Sequence, residues 1–220
     1  MSEYVIAIIP VRGADKFTRT VVGGKTLLAH TIDAARASEK INAVIVSTDS
    51  AEVAAYAKEL GAQVPFLRSA KLAAPGVRLE DVLQETVREL DQHGQHPTIV
   101  VSLEILHPLR PAGLLDKMIS LLEENDFDTV FTVARMHDNI WRQDAAGKVL
   151  RFDEKSRREE REPIFRELLG IACVTRAKLI SDGIRVGRTV GIVPVDEKTA
   201  RIDVRTEEDA WLANQLLSKP

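Results

Sequence analysis

Cysteine is almost missing from this chain: Cys173 is the single one in 220 residues, so no internal disulfide can staple the fold. A reducing, cytoplasmic setting is the matching expectation. Aromatic residues are scarce too, at 5%, which leaves Ala, Val, Leu and Ile to build the core. No apolar run approaches the roughly 18 residues of a membrane-spanning helix, so no membrane partner is expected. The apolar stretch at residues 4–10 has no basic leader and reads as a buried strand rather than a signal peptide. Positive charge is not in excess: 30 Lys and Arg face 33 Asp and Glu, a net charge of −3. A nucleic-acid binder usually carries a basic surplus, so no nucleic-acid partner is expected either. His30, His93, His96, His107 and His137 stand in neither HxH nor HExxH spacing, and there is no CxxC pair. The glycine signatures GxxxxGK[ST] and GxGxxG are also missing.

What is present is a folded α/β chain. Hydrophobic residues make up 45%, enough for a sizeable core. Residues 4–10 form an apolar run without polar alternation, as a strand covered on both faces does. Residues 11–25 read as a loop. Further strands are expected at 43–48, 63–67, 98–103, 129–133, 169–174 and 191–195. Helices are expected at 26–38, after the caps Asp49 or Ser50, at 77–90, at 111–124 and at 207–217, the last capped by Thr206. This alternation predicts βαβ units, a mainly parallel sheet and helices on both faces. Cys173 lies in an apolar stretch and reads as core. The alternation breaks at about 136–166. Ten of the twelve residues 151–162 are charged. The segment reads either as a solvated surface stretch or as an arm inserted into one domain of 220 residues and reaching a second subunit.

Ligands of open parallel sheets bind beyond the C-terminal strand ends. After the first strand come Arg12, Gly13 and Lys16, two cations around a residue that allows close backbone approach, which suits a polyphosphate. Later strand ends add Asp49, Arg68, the stretch from Glu104 to Arg110, and Arg201 with Asp203. That set has the charge to hold a nucleoside triphosphate with one Mg²⁺. Each residue also has an ordinary alternative: Arg68 and Arg110 as surface ion-pair partners, Asp49 as a helix cap.

The ordered motifs Ile8-Ile9-Pro10-Val11-Arg12-Gly13 with Lys16, Gly24-Lys25-Thr26-Leu27, Val46-Ser47-Thr48-Asp49-Ser50, Val64-Pro65-Phe66-Leu67-Arg68, Pro108-Leu109-Arg110 and Ile202-Asp203-Val204-Arg205-Thr206 run through nearly the whole chain. In these the chain resembles the acylneuraminate cytidylyltransferase (CMP-sialic acid synthetase) family and its ketodeoxyoctonate-activating relatives. The resemblance implies a Rossmann-like three-layer nucleotidyltransferase fold. It implies transfer of CMP from CTP to a sugar acid with release of pyrophosphate and with Mg²⁺ as cofactor, and a homodimer joined by the inserted arm. By position it implies Arg12, Lys16 and Asp203 as catalytic residues, and Arg12, Gly13, Lys16, Arg19 and Arg68 around the nucleotide. Glu104, Arg110 and Arg166 would face the acceptor, and Asp203 would bind Mg²⁺.

Several positions depart from that family. Its first loop is about four residues longer before the Gly-Lys pair, and the Asn that helps read cytosine has no counterpart, so Arg19 stands where a second family lysine would. Glu104 replaces a Gln that faces an anionic sugar, and like charges repel there. Arg78 and Leu79 replace small hydroxyl residues. Arg201 replaces the first carboxylate of Asp-Ile-Asp, and on an extended segment it would share a face with Asp203. Two other readings therefore stay open: a divergent nucleotidyltransferase with another nucleotide or acceptor, and a non-catalytic nucleotide-binding relative.

Overall fold

The computed structural model describes residues 3–13, 16–152 and 162–217, with backbone alone at Lys16. The first apolar run forms β1, Val5–Pro10. Its alternation separates two cores: Val5, Ala7 and Ile9 pack on one face of the sheet, Ile6 and Ile8 on the other. A short 3-10 turn at Lys16–Arg19 follows, then the small hairpin β2, Val21–Val22, and β3, Lys25–Thr26. Gly23 and Gly24 join these strands with φ of +57° and +79°, the backbone that a two-residue hairpin loop favours. The sequence reading had a loop here, because strands of two residues are too short to display an alternation.

The main elements come next in chain order: α1, Leu27–Arg36; β4, Ala43–Ser47; α2, Ala51–Glu59; α3, Leu79–Gln92; β5, Ile99–Ser102; α4, Leu114–Glu124; and β6, Thr129–Met136. After them lie β7, Trp141–Gln143; β8, Val149–Arg151; β9, Ile164–Glu167; β10, Cys173–Arg176; α5, Ala177–Ser181; β11, Val190–Pro194; and α6, Glu207–Leu217. Thr26 caps α1, its hydroxyl accepting the Ala29 N–H at 3.1 Å. Ser50, not Asp49, caps α2 by accepting from Val53.

The sheet runs β11-β6-β10-β5-β1-β4. The pairs β4/β1, β1/β5 and β6/β11 are parallel, while β10 lies antiparallel between β5 and β6. β9 continues the same lane, pairing antiparallel with the far half of β6. One core joins the sheet to α1, α2 and α4, with Ala213 of α6, and the other joins it to α3 and α5. Helices therefore cover both faces of a mainly parallel sheet, an α/β nucleotidyltransferase-like fold.

Three expected boundaries move. Residues 63–67 give only a bridge between Gln63 and Ile45, because Pro65 has no N–H to continue a ladder. α4 starts at Leu114 rather than 111: Leu114 donates to Pro111 O at 3.3 Å in a turn, and Gly113 is left-handed. β10 starts at Cys173 rather than 169, since Ile171 turns back to Leu168 O at 3.0 Å.

Candidate functional site

The C-terminal ends of β1 and β5 open on a cavity of about 650 Å³. Pro10, Arg12 and Phe17 line one side, Glu104, Ile105 and Leu106 another. Leu72, Pro75 and Val77, with Leu79 and Val82 of α3, form an apolar wall. Arg68 and Arg205 complete it, so three guanidinium groups border one cleft.

The loop after β1 is fixed by the neighbouring strand. Val11 N–H donates to Ser47 O at 2.9 Å, and Gly13 N–H donates to the Asp49 carboxylate at 2.9 Å. A Cβ on Gly13 would stand 2.4 Å from Ser50 Cβ. Glycine is thus required here by the approach of α2's cap, a reason that the sequence reading assigned to a ligand instead. The Lys16 side chain lies outside the described residues, as do residues 14 and 15 of this loop.

Arg68 is buried, with its side chain only 3% exposed. Its Nη2 donates to Val11 O at 3.2 Å and lies 3.6 Å from Asp49. Its Nε is buried with no hydrogen-bond partner. Burial lowers its pKa, Asp49 opposes that shift, and nearby Arg12 adds to it. The paired Arg12 and Arg68 are a concentrated positive charge at the mouth of β1 and β4. Asp49 therefore orients the loop and Arg68 rather than capping a helix.

Glu104 faces the cavity with its Oε1 3.9 Å from Arg185, a buried guanidinium that donates to Ser102 Oγ at 3.3 Å and Leu169 O at 2.9 Å. The carboxylate that replaces the family's Gln thus has a cation behind it. Arg185 was not singled out from the sequence, since it sits 81 positions from Glu104 in a loop without a motif.

Arg110 is not among the residues lining the cavity. Its guanidinium donates to Ile171 O at 2.7 Å, His107 O at 2.7 Å, Thr31 Oγ1 at 3.0 Å and Gly170 O at 3.2 Å, and also to Glu104 O. Desolvation lowers its pKa and Glu104 opposes this. It clamps the stretch after β5 to the turn before β10 and so holds Glu104 in place. His107 is buried beside it, with Nδ1 3.1 Å from Ile202 O. Burial and the charge of Arg110 bring its pKa down to about 4, against the pull of Asp203.

The last strand end differs most from expectation. Arg201 closes a 3-10 turn, Thr199–Arg201, and donates to Asp196 O at 3.4 Å. It is not on one extended segment with Asp203, so the shared-face argument fails. Arg205 is the residue paired with Asp203, Nε to Oδ2 at 2.6 Å. Asp203 Oδ1 is buried and has no hydrogen-bond partner. In the sequence Arg205 is marked only by its place in the motif Ile202-Asp203-Val204-Arg205-Thr206.

Arg19 turns to Glu52 of α2 and lines a separate surface groove with Thr26 and Tyr56. Arg166 is exposed on β9 opposite Ala134 and is not among the cavity residues. Most of the charged run 151–162 lies outside the described residues. Among the described residues no helix is long and apolar enough to cross a membrane.

Residues 20–169 match the family model described as cytidylyltransferase. Over 111 residues the chain is 35% identical to the CMP-N,N'-diacetyllegionaminic acid synthase of Legionella pneumophila, covering 49% of this chain and 47% of that protein. It is 32% identical over 123 residues to a 3-deoxy-manno-octulosonate cytidylyltransferase of Anaeromyxobacter, covering 54% of this chain and 47% of that protein. The chain thus spans about half the length of these curated relatives. Among solved structures, the 4-diphosphocytidyl-2C-methyl-D-erythritol synthase of Anaerococcus prevotii superposes with a TM-score of 0.72 at 18% identity, covering 99% of both chains. That likeness concerns the fold.

Proposed function

Because the chain belongs to the cytidylyltransferase family, we propose that it transfers CMP from CTP to the hydroxyl of a sugar acid of the sialic or octulosonic type, releasing pyrophosphate. The observation that carries this reading is the cavity beyond β1 and β5, bordered by Arg12, Arg68 and Arg205. Its size, about 650 Å³, suits a nucleotide with part of an acceptor. The two relatives described above are named for sugar acids, which supports that acceptor class.

In the reaction the acceptor oxygen bonds to the α-phosphorus while the α–β bridging oxygen leaves with pyrophosphate. The attacking hydroxyl gives up its proton. Negative charge accumulates on the departing oxygens, and the three guanidinium groups bordering the cavity would stabilise it. Arg12, and Arg68 held on Asp49 and Val11 O, would orient the triphosphate, with Lys16 as a further cation from the same loop. The apolar wall from Leu72 to Val82 would exclude water from the α-phosphorus.

Mg²⁺ is the expected cofactor, and Asp203 would hold it. Asp203 is not itself among the residues lining the cavity, but it is paired with Arg205, which is, and its orphaned, buried Oδ1 fits a cation ligand. Among the described residues no cluster of three or more His, Cys, Asp or Glu is placed to hold a metal. One carboxylate with substrate phosphates and water is a donor set that Mg²⁺ accepts. When bound, the ion would neutralise charge on the phosphates. We further propose a homodimer in a cytoplasmic compartment. The exposed Trp141, Val149, Phe152 and Phe165 on and beside β7, β8 and β9 support the dimer, and the lone buried Cys173 suits a reducing compartment.

The test is pyrophosphate release by the purified chain with CTP, Mg²⁺ and a panel of nonulosonic and octulosonic acids. Turnover with at least one is expected, and silence across the panel would defeat the reading. A second reading, an acceptor without a carboxylate, is favoured by Glu104, whose charge faces the cavity. Running neutral sugars and the other nucleoside triphosphates in the same assay separates the two.

A further inference from the structure

Arg205 borders the cavity and at the same time occupies the carboxylate that the metal would need. Its Nε holds Asp203 Oδ2 at 2.6 Å, while Oδ1 of the same carboxylate is buried without a partner. The carboxylate is thus only half satisfied, and a cation reaching it from the cavity would have to displace the guanidinium. The pair is also open to exchange. The Arg205 side chain is 60% exposed and that of Asp203 35%, and ion pairs so exposed are weak. The backbone beneath them is fixed, because the N–H groups of Arg205 and Thr206 both donate to Asp209, at 3.0 and 2.9 Å. Motion of Arg205 is therefore a side-chain motion that leaves α6 in place.

A guanidinium prefers the forked oxygens of a phosphate, and a triphosphate in the cavity would present several beside Arg12 and Arg68. Without nucleotide, Arg205 neutralises Asp203. With nucleotide, Arg205 meets the phosphates, and Asp203 Oδ2 becomes available to a divalent ion that the same phosphates help to ligate. We propose that Arg205 is a positioning residue that latches Asp203 until a triphosphate enters, so that divalent-cation binding depends on prior nucleotide binding. The proposal rests on the nucleotide reading of the cavity. It explains how one carboxylate can serve among arginines, since the cation site exists only in the ternary arrangement. Linkage requires the converse as well: the cation must strengthen nucleotide binding by the same factor.

The test follows Mn²⁺ by electron paramagnetic resonance on the full chain, with and without an α,β-methylene analogue of CTP that cannot react. In the parent protein the analogue is expected to raise Mn²⁺ affinity by about tenfold or more. Arg205→Ala, with Arg205→Gln as a second variant, should raise nucleotide-free Mn²⁺ affinity by about tenfold and shrink the effect of the analogue. Asp203→Asn should abolish the rise in Mn²⁺ affinity that the analogue brings. Arg201→Ala removes the same charge from the same segment without touching the pair, and should leave nucleotide-free Mn²⁺ affinity unchanged. The latch is overturned if the Arg205 variants bind Mn²⁺ like the parent, or if Arg201→Ala raises affinity as much as they do. Failure of the analogue to shift the melting temperature would count against the CTP reading, while the nucleotide-free comparison still decides the latch.

Discussion

At Gly13 one missing carbon decides the shape of the loop that borders the cavity. Alanine there would bring Cβ to 2.4 Å from Ser50 Cβ, so the loop or the cap of α2 must move. Gly13→Ala is expected to destabilise by about 1–3 kcal/mol, as overpacking does, and to raise KM for CTP by displacing Asp49 and Arg68. Unchanged urea unfolding and KM would refute that account. His107 gives a second residue-scale prediction. Its folded pKa, about 4, lies below that of an exposed histidine. The unfolded chain therefore binds more protons between about pH 6.5 and pH 4, and stability falls as pH drops through that window. The loss is on the order of 3 kcal/mol at the acid end, and His107→Gln should flatten the profile measured by urea unfolding. The places of Arg12 and Glu104 beside the cavity were legible because each comes just after a strand, β1 and β5, while Arg68 lies there although the strand expected before it is only a bridge at Gln63. Arg205 and Arg185 were not, because no spacing rule tells which way a side chain in a loop turns. Arg110 shows the converse: it follows a strand but donates to backbone carbonyls.

Elements with strong periodicity were the most legible. β1, β4, β5 and α6 lie within a residue or two of where the sequence put them, because apolar runs and caps mark both ends. The small hairpin β2–β3, the single bridge at Gln63 and the late start of β10 were not, since each depends on a turn or a proline rather than on a period. α6 carries its own start signal. Thr206 Oγ1 accepts the Asp209 N–H at 3.1 Å, and the Asp209 carboxylate accepts the Thr206 N–H in return. This reciprocal cap draws the Asp209 pKa down, chiefly through the hydrogen bond from Arg205 N–H. Thr206→Ala is expected to cost about 1 kcal/mol, which for a chain this long lowers Tm by roughly 2–4 °C. Calorimetry showing no change would mean that α6 is held by Ala213 and its packing alone.

For the molecule as a whole, the open question is what covers the aromatic and aliphatic side chains beside β7 and β8. Trp141, Val149 and Phe152 are each more than half exposed in the single chain. A dimer closed through them predicts that Trp141→Ser with Phe152→Ser shifts the mass from dimer to monomer in light scattering, while circular dichroism stays unchanged. A parent protein that is already monomeric at micromolar concentration would rule this interface out. The sheet order itself was only half legible: helices on both faces followed from the alternation of elements, but nothing in the local pattern marks β10 as the strand that runs backwards.

The pairing of β6 with β9 has one further consequence. Met136 stands opposite Ile164, so the chain leaves the sheet and returns to it at neighbouring points. The segment between them thus hangs on a closed clasp at Met136 and Ile164. Insertions and deletions there change no register in the sheet and move no cavity residue. A change of length between Met136 and Ile164 is therefore expected to leave the cavity residues where they are.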